Sequence, residues 1–257
     1  MLILVTNDDG INAPGIWALA RAMQELGRVM IVAPSEEKSG TGHSITVHRP
    51  LRVEQVRSCD GLEAYVVNGT PADCVKLGME GLSNESPNIV VSGINRGPNL
   101  GTDVLYSGTV SGAMEGAILG AVAMAISVDL DHNPPEDFDY EPAARIAKQL
   151  VERFSREALP KETLLNVNVP AVPYEAIKGI KFTRLGTRRY RDVFDKRLDP
   201  RGRVYYWMAG DVVDLDPDPM TDTATVKEGY VSITPIHYDL TEYNLLEEMK
   251  HWHIDLD

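Results

Sequence analysis

A mostly parallel β-sheet covered on both faces by helices is the fold this sequence predicts. Short apolar runs recur over residues 2–169, and segments of helical spacing lie between them. Strands buried on both faces read as near-continuous apolar runs, and their alternation with helices is the pattern of parallel βαβ units. Polar, glycine-rich loops follow several of the strands, at the strand ends where open α/β sheets bind ligands.

The first strand is Leu2-Ile3-Leu4-Val5-Thr6, which runs into Asn7-Asp8-Asp9-Gly10. Residues 15–26 have helical spacing and close at Gly27. Val29 to Ala33 is the second strand, stopped by Pro34. Short strands are expected at Ile45–Val47, Leu51–Val53 and Ala64–Val67. Asn68-Gly69-Thr70-Pro71 leads into a helix over 72–79, with Thr70 as cap and Pro71 at the first position. Asn88 to Val91 is again a buried strand. A helix over 109–119 and a strand over 122–126 complete a doubly wound core, and a helix over 140–158 with a strand over 164–169 finishes the sheet. From Pro170 onward the text changes. Strands at 180–184, 204–208 and 229–235 and a helix over 241–252 surround a basic run, so residues 171–257 read as an extended arm on a core of residues 1–170, within one domain.

The chain has 257 residues, 43% of them hydrophobic, and a net charge of −13. Such a surface is ill suited to gripping a nucleic-acid polymer, but a bound cation can invert the local field and admit a small phosphorylated ligand. The basic run from Arg184 to Arg203 is interleaved with Asp192, Asp195 and Asp199 and reads as a solvated arm or subunit contact. Tyr190, Tyr205, Tyr206 and Trp207 suit an interface and would equally stack on a base. Two cysteines, Cys59 and Cys74, are too few for a disulfide framework and fit a reducing cytoplasm. No secretory leader is expected from the N-terminus. The stretch 110–128 contains Glu115 and the series Gly112, Gly116, Gly120, and reads as a helix with a small-residue face on the sheet rather than a membrane span.

Adjacent carboxylates at a strand end repel unless a positive charge lies between them. A turn on the surface is the simple alternative, since acid–glycine pairs are common turn chemistry. Three loops, Asn7–Asn12, Ser35–His43 and Ser92–Ser107, emerge on one edge of such a sheet. Asp8 and Asp9 supply charged oxygens; Ser39 and Asn95 can add neutral ones, making an oxygen shell for magnesium or manganese. No His or Cys accompanies the pair, which disfavours zinc. Gly40, Gly42, Gly97 and Gly101 would let backbone N–H groups approach an anion, and Ser107-Gly108-Thr109 opens a helix whose N-terminus seats phosphate. Asn99 and Thr41 lie beside these groups. Neither a Gly-x-Gly-x-x-Gly nor a P-loop lysine motif follows a strand. An aspartyl-phosphate route through Asp8 stays open, although such sites space their acids one residue apart. His43 can hydrogen-bond its loop or donate a proton to a leaving oxygen; His237 suits a structural or interface role, and His251 and His253 the surface. Arg96 can reach a phosphate or pair with an acid.

These segments resemble the SurE (stationary-phase survival protein) family. The resemblance rests on Leu4–Gly10, on Ala33-Pro34 with Ser39–Thr46, on Asn68–Val75, Val91–Asn99, Ser107–Ala113 and Gly229–Pro235, in order along nearly the whole chain; residues 133–161 carry little of it. It implies a Rossmann-like three-layer αβα domain and a metal-dependent 5'/3'-nucleotidase releasing phosphate from nucleoside monophosphates, with some relatives trimming short polyphosphate. By matching, Asp8, Asp9, Ser39 and Asn95 become ligands of one divalent cation per subunit. Asp8 and Asp9 are then also the catalytic pair, and Gly40, Thr41, Asn99, Ser107, Gly108 and Thr109 the phosphate contacts. Family members are dimers or tetramers that exchange the C-terminal arm. The rival readings are a non-catalytic nucleotide or metal sensor, an assembly protein whose acid pair is only a turn, and an aspartyl-phosphate phosphatase.

Overall fold

The structure, a computed structural model, describes residues 1–58, 61–130, 138–156 and 159–254. Cys59 and the last two residues of the expected 140–158 helix lie outside these. In chain order the elements are β1 (Leu2–Thr6), α1 (Pro14–Gln24), β2 (Arg28–Pro34), β3 (Val53–Arg57), β4 (Glu63–Val67), α2 (Pro71–Glu80), β5 (Ile89–Arg96), α3 (Gly108–Ile118), β6 (Val122–Asp129), α4 (Glu141–Phe154) and β7 (Thr163–Pro170). The arm region follows with β8 (Ile180–Phe182), β9 (Arg188–Arg191), β10 (Phe194–Leu198), β11 (Val204–Met208), β12 (Asp211–Asp214), α5 (Asp222–Lys227), β13 (Val231–His237) and α6 (Tyr243–Met249). A 3-10 turn at Gly101–Leu105 precedes α3.

Among the described residues, nine strands form one sheet in the order β3-β4-β2-β1-β5-β6-β7-β13-β8. The neighbours from β4 to β7 are all parallel. Strand alternation sends successive side chains to opposite faces. Ile3 and Val5 of β1 join Ile16, Leu19 and Met23 of α1 and Ile146 and Leu150 of α4 in one core layer. Leu4 joins Val75 and Met79 of α2 in the other, and α3 packs Ala113 and Ala117 over Ala123 and Ala125 of β6 on that same side. The result is the expected three-layer αβα arrangement.

Helix α2 begins as its sequence demands. The Thr70 hydroxyl accepts from Asp73 N, and the Asp73 carboxylate accepts from Thr70 N, a reciprocal capping box. Helix α3 lies close on the sheet through its glycines. A Cβ on Gly112 would sit 3.0 Å from Ser92 Oγ, and one on Gly116 would sit 2.6 Å from Val90 Cβ. Gly120 does not continue this face; it follows the helix with positive φ (88°) and open space around it, as a helix-terminating glycine.

Three expectations are corrected. Ile45–Val47 is not a strand: Ile45 and Val47 are exposed, and Thr46 instead bonds Asp73 through both its amide and its hydroxyl. The strand expected at Leu51–Val53 starts at Val53 and runs to Arg57, where it pairs antiparallel with β4. The sheet does not finish at β7, because β13 pairs antiparallel with it and β8 extends the edge. The remaining arm strands leave the sheet as two ribbons, β10–β11 and β9–β12. Cys74 is a buried free thiol. Among the described residues no helix is long and apolar enough to cross a membrane.

Candidate metal and phosphate site

The acid pair sits where β1 ends, between β5 and the start of α3. Register places Thr6 beside Ser92 of β5, so the chain leaving β1 runs alongside Asn95 and Arg96. Gly10 adopts φ +88°, and a Cβ there would approach the Glu36 backbone to 3.0 Å, so the turn after Asp9 needs glycine. The Asn7 side chain closes that turn by donating to Gly10 O at 2.9 Å. The second loop is tied on by Lys38 N, which donates to Asp8 O at 2.7 Å. The third is tied on by Arg96 N, which donates to Asp9 Oδ2 at 3.0 Å. The three loops expected to share one edge do converge.

Asp8 is 4% exposed and abuts the N-terminus of α3. The Thr109 hydroxyl donates to Asp8 Oδ1, and a Cβ on Gly108 would lie 2.7 Å from Asp8 Cβ. Burial raises the Asp8 pKa, opposed by the Thr109 hydroxyl and amide. Burial, and then the charge of Asp8, push Asp9 up to about 7, opposed by the Arg96 amide. Neither carboxylate forms an ion pair among the described residues. A buried acid beside a half-buried one, both at raised pKa and bonded by neutral donors, is an arrangement that would suit a divalent cation.

The neutral donors fit to different degrees. Asn95 is buried and commits its amide nitrogen to Gly97 O, which leaves its side-chain oxygen to offer. Ser39 is exposed, and its hydroxyl donates to Glu37 at 2.7 Å; its tie to the pair runs through the adjacent Lys38 amide. Among the described residues no group of three or more His, Cys, Asp or Glu gathers as a metal cage, consistent with a mixed oxygen shell.

The phosphate contacts divide in the same way. Ser107 caps α3 by accepting from Val110 N at 3.0 Å, so its hydroxyl hydrogen is left to donate outward. Gly108 N and the exposed Gly40 stand in the same convergence. Thr109 is turned onto Asp8, so the second residue of the helix supports the acid rather than an incoming anion. Thr41 bonds Lys38 O at 2.8 Å. Asn99 is held in the sheet: its Nδ2 donates to Ser127 Oγ at 2.8 Å, and its carbonyl accepts from Asn166 and Asn168. Its amide has one N–H left for a ligand.

A family model described as Survival protein SurE matches residues 3–192. The chain belongs to the SurE family. It is 56% identical to the 5'-nucleotidase SurE of Heliobacterium modesticaldum over 256 residues, covering 98% of this chain and 92% of that protein. It is 53% identical to the 5'-nucleotidase SurE of Natranaerobius thermophilus, covering 99% of this chain and all of that one. Its fold is similar to the crystal structure of the SurE protein from Aquifex aeolicus, with a TM-score of 0.83, 44% identity, and 98% and 99% of the two chains covered.

Two acids of this SurE-family site escape a reading by motif. Glu37 adds a third negative charge that raises both Asp8 and Asp9. Its only signal in the sequence is its place two residues before Ser39. Glu115 is buried on α3 and binds His43 and Lys76, and its signal was an acid inside an otherwise small and apolar run. His251 and His253 lie on the surface as expected.

Proposed function

We propose that this chain is a divalent-metal-dependent 5'-nucleotidase that releases phosphate from nucleoside monophosphates. Nucleotide hydrolysis is supported by family membership and by full-length relatives of that name. The metal is supported by one observation above all: the adjacent acids at the end of β1, with Asp8 buried against the N-terminus of α3 and Asp9 half-buried beside the Arg96 amide. Asp8, Asp9, Asn95 and Ser39 would hold the cation, magnesium or manganese, one per subunit. When bound it supplies Lewis-acid polarisation of a phosphate oxygen and of an attacking water. The chain's own groups orient the rest. Ser107 Oγ–H and Gly108 N–H, with Gly40, Thr41 and Asn99 alongside, donate to the phosphoryl oxygens. The positive end of α3 adds a fixed dipole toward the charge that develops there.

The same site accommodates 3'-monophosphates and the end of a short polyphosphate, since its donors address phosphate alone. The chain acts as one domain, residues 1–170 carrying the chemistry and 171–257 forming an arm that exchanges with a second copy in a homodimer or homotetramer. An aspartyl-phosphate route gains no support from the acid spacing. The acids are adjacent in the chain, whereas such a route spaces them one residue apart.

Phosphate release from AMP with magnesium or manganese, abolished by a chelator and restored by adding metal back, is the expected result. Tight AMP binding with no release would make the chain a sensor instead.

A further inference from the structure

The loop bearing Ser39, Gly40 and Thr41 has few supports of its own. Its backbone is tied to the rest of the molecule by Ser35 N on Val67 O, Lys38 N on Asp8 O and Gly42 N on Tyr106 O. Between the last two ties, Ser39 and Gly40 are exposed. Immediately after Gly42, the His43 ring reaches across to α3, where its Nε2 lies 2.8 Å from Glu115 Oε2. Glu115 is only 6% exposed, and its other oxygen accepts from Lys76 of α2 at 3.2 Å. The bond to His43 and the Lys76 ammonium hold the Glu115 carboxyl ionised. An ionised carboxylate only accepts, so Nε2 must carry the hydrogen.

Nothing in the proposed chemistry requires an acid buried in the last turn of α3. Its partners suggest its use: it joins the helix that aims at the phosphate to the loop that closes over it. We infer that His43 is a positioning residue, anchored on Glu115, which sets the height of the Ser39–Thr41 segment over the phosphate. The inference rests on the reading above, but it acts through the loop backbone and touches neither the cation nor the leaving group. In that geometry His43 is not the proton donor.

The test compares full-length wild type, His43→Ala and His43→Gln, all loaded with manganese. Glutamine can place an N–H near the position of Nε2 but cannot act as an acid. Hydrogen exchange by mass spectrometry over residues 36–42 is expected to quicken by about tenfold in His43→Ala and to stay within about twofold of wild type in His43→Gln, as for loss and retention of one charge-assisted bond. KM for AMP and the inhibition constant of inorganic phosphate rise by about tenfold in the alanine variant, more than kcat falls, and glutamine restores both. Manganese affinity is unchanged in either. Wild-type exchange and KM in His43→Ala would overturn the inference. So would a glutamine variant with wild-type exchange but the low kcat of alanine, which would make His43 the acid. If wild type released no phosphate from any nucleotide, the functional reading would fall, and the exchange comparison alone would still decide the clamp.

Discussion

At the end of β1, Asp8 is 4% exposed, whereas in the β10–β11 ribbon Tyr206 and Trp207 are 59% and 60% exposed. The two regions invert the usual distribution in opposite senses. Charged carboxylates are almost never fully buried without a partner, and contiguous large apolar groups are seldom left in water. The corner is anchored from three loops and a helix end. The ribbon pairs only with itself and carries Phe194, Leu198, Tyr206, Trp207 and Met208 in the open. Each exception points to a different kind of binding. On the proposed reading a cation would complete the corner, and a second copy of the chain would cover the arm.

The sharpest way to break this contrast is Asp9→Asn. Turnover should fall by about two or more powers of ten, as when other preorganised charge contacts are removed. The metal-free protein should melt no lower than wild type, because the substitution removes a charge that burial disfavours. A marked loss of melting temperature would mean that the acid supports the fold. Next comes the arm. Tyr206→Asp with Trp207→Asp should reduce the particle seen by light scattering to a single 28.3 kDa chain, with the far-ultraviolet spectrum of the sheet retained. A mass unchanged from wild type would remove the ribbon from the interface.

A smaller effect follows from the raised pKa of Asp9. Its value of about 7 lies above the ordinary 3.8, so the folded chain holds this proton more tightly than the unfolded chain. Without metal, the carboxyl therefore lowers stability progressively as pH rises from about 4 to about 7, with the full loss above that. Manganese binds the ionised pair, so the rise in melting temperature that it produces should grow over the same interval and level off above it. A manganese shift independent of pH would separate Asp9 from the cation. The smallest change is expected from Thr109→Val, which preserves shape and removes the donor to Asp8. It should cost about 1–3 kcal/mol in the metal-free protein at neutral pH, where it leaves a buried acceptor unmet, measured by denaturant unfolding. No change would mean that the hydroxyl bond contributes nothing.

The parallel core was readable because burial on both faces leaves a strong mark: Leu2–Val5 and Val122–Ile126 contain no polar residue. The cap of α2 was equally plain, since Thr70, Pro71 and Asp73 each state their role locally. The edges were not. Val53–Arg57 is exposed throughout, so no alternation distinguishes it from loop, and its pairing with β4 is decided by tertiary contact. The return of β13 to β7 joins residues far apart in the chain and has no local signature. The convergence of the loops that bear Asp8, Asp9 and Asn95 was legible because strand ends announce where loops meet. The turn of Thr109 toward Asp8 depends on where a side chain points, and residue spacing does not encode that.

The line of glycines along the inner face of α3 has a thermal consequence. Gly108 meets Asp8, Gly112 meets Ser92 and Thr6, and Gly116 meets Val90, one turn apart. On this line the helix backbone lies directly against short side chains of the strands and of the loop after β1, so the helix brings no flexible group of its own to loosen first on heating. The N-terminus of α3 and the sheet beneath it are therefore expected to melt together.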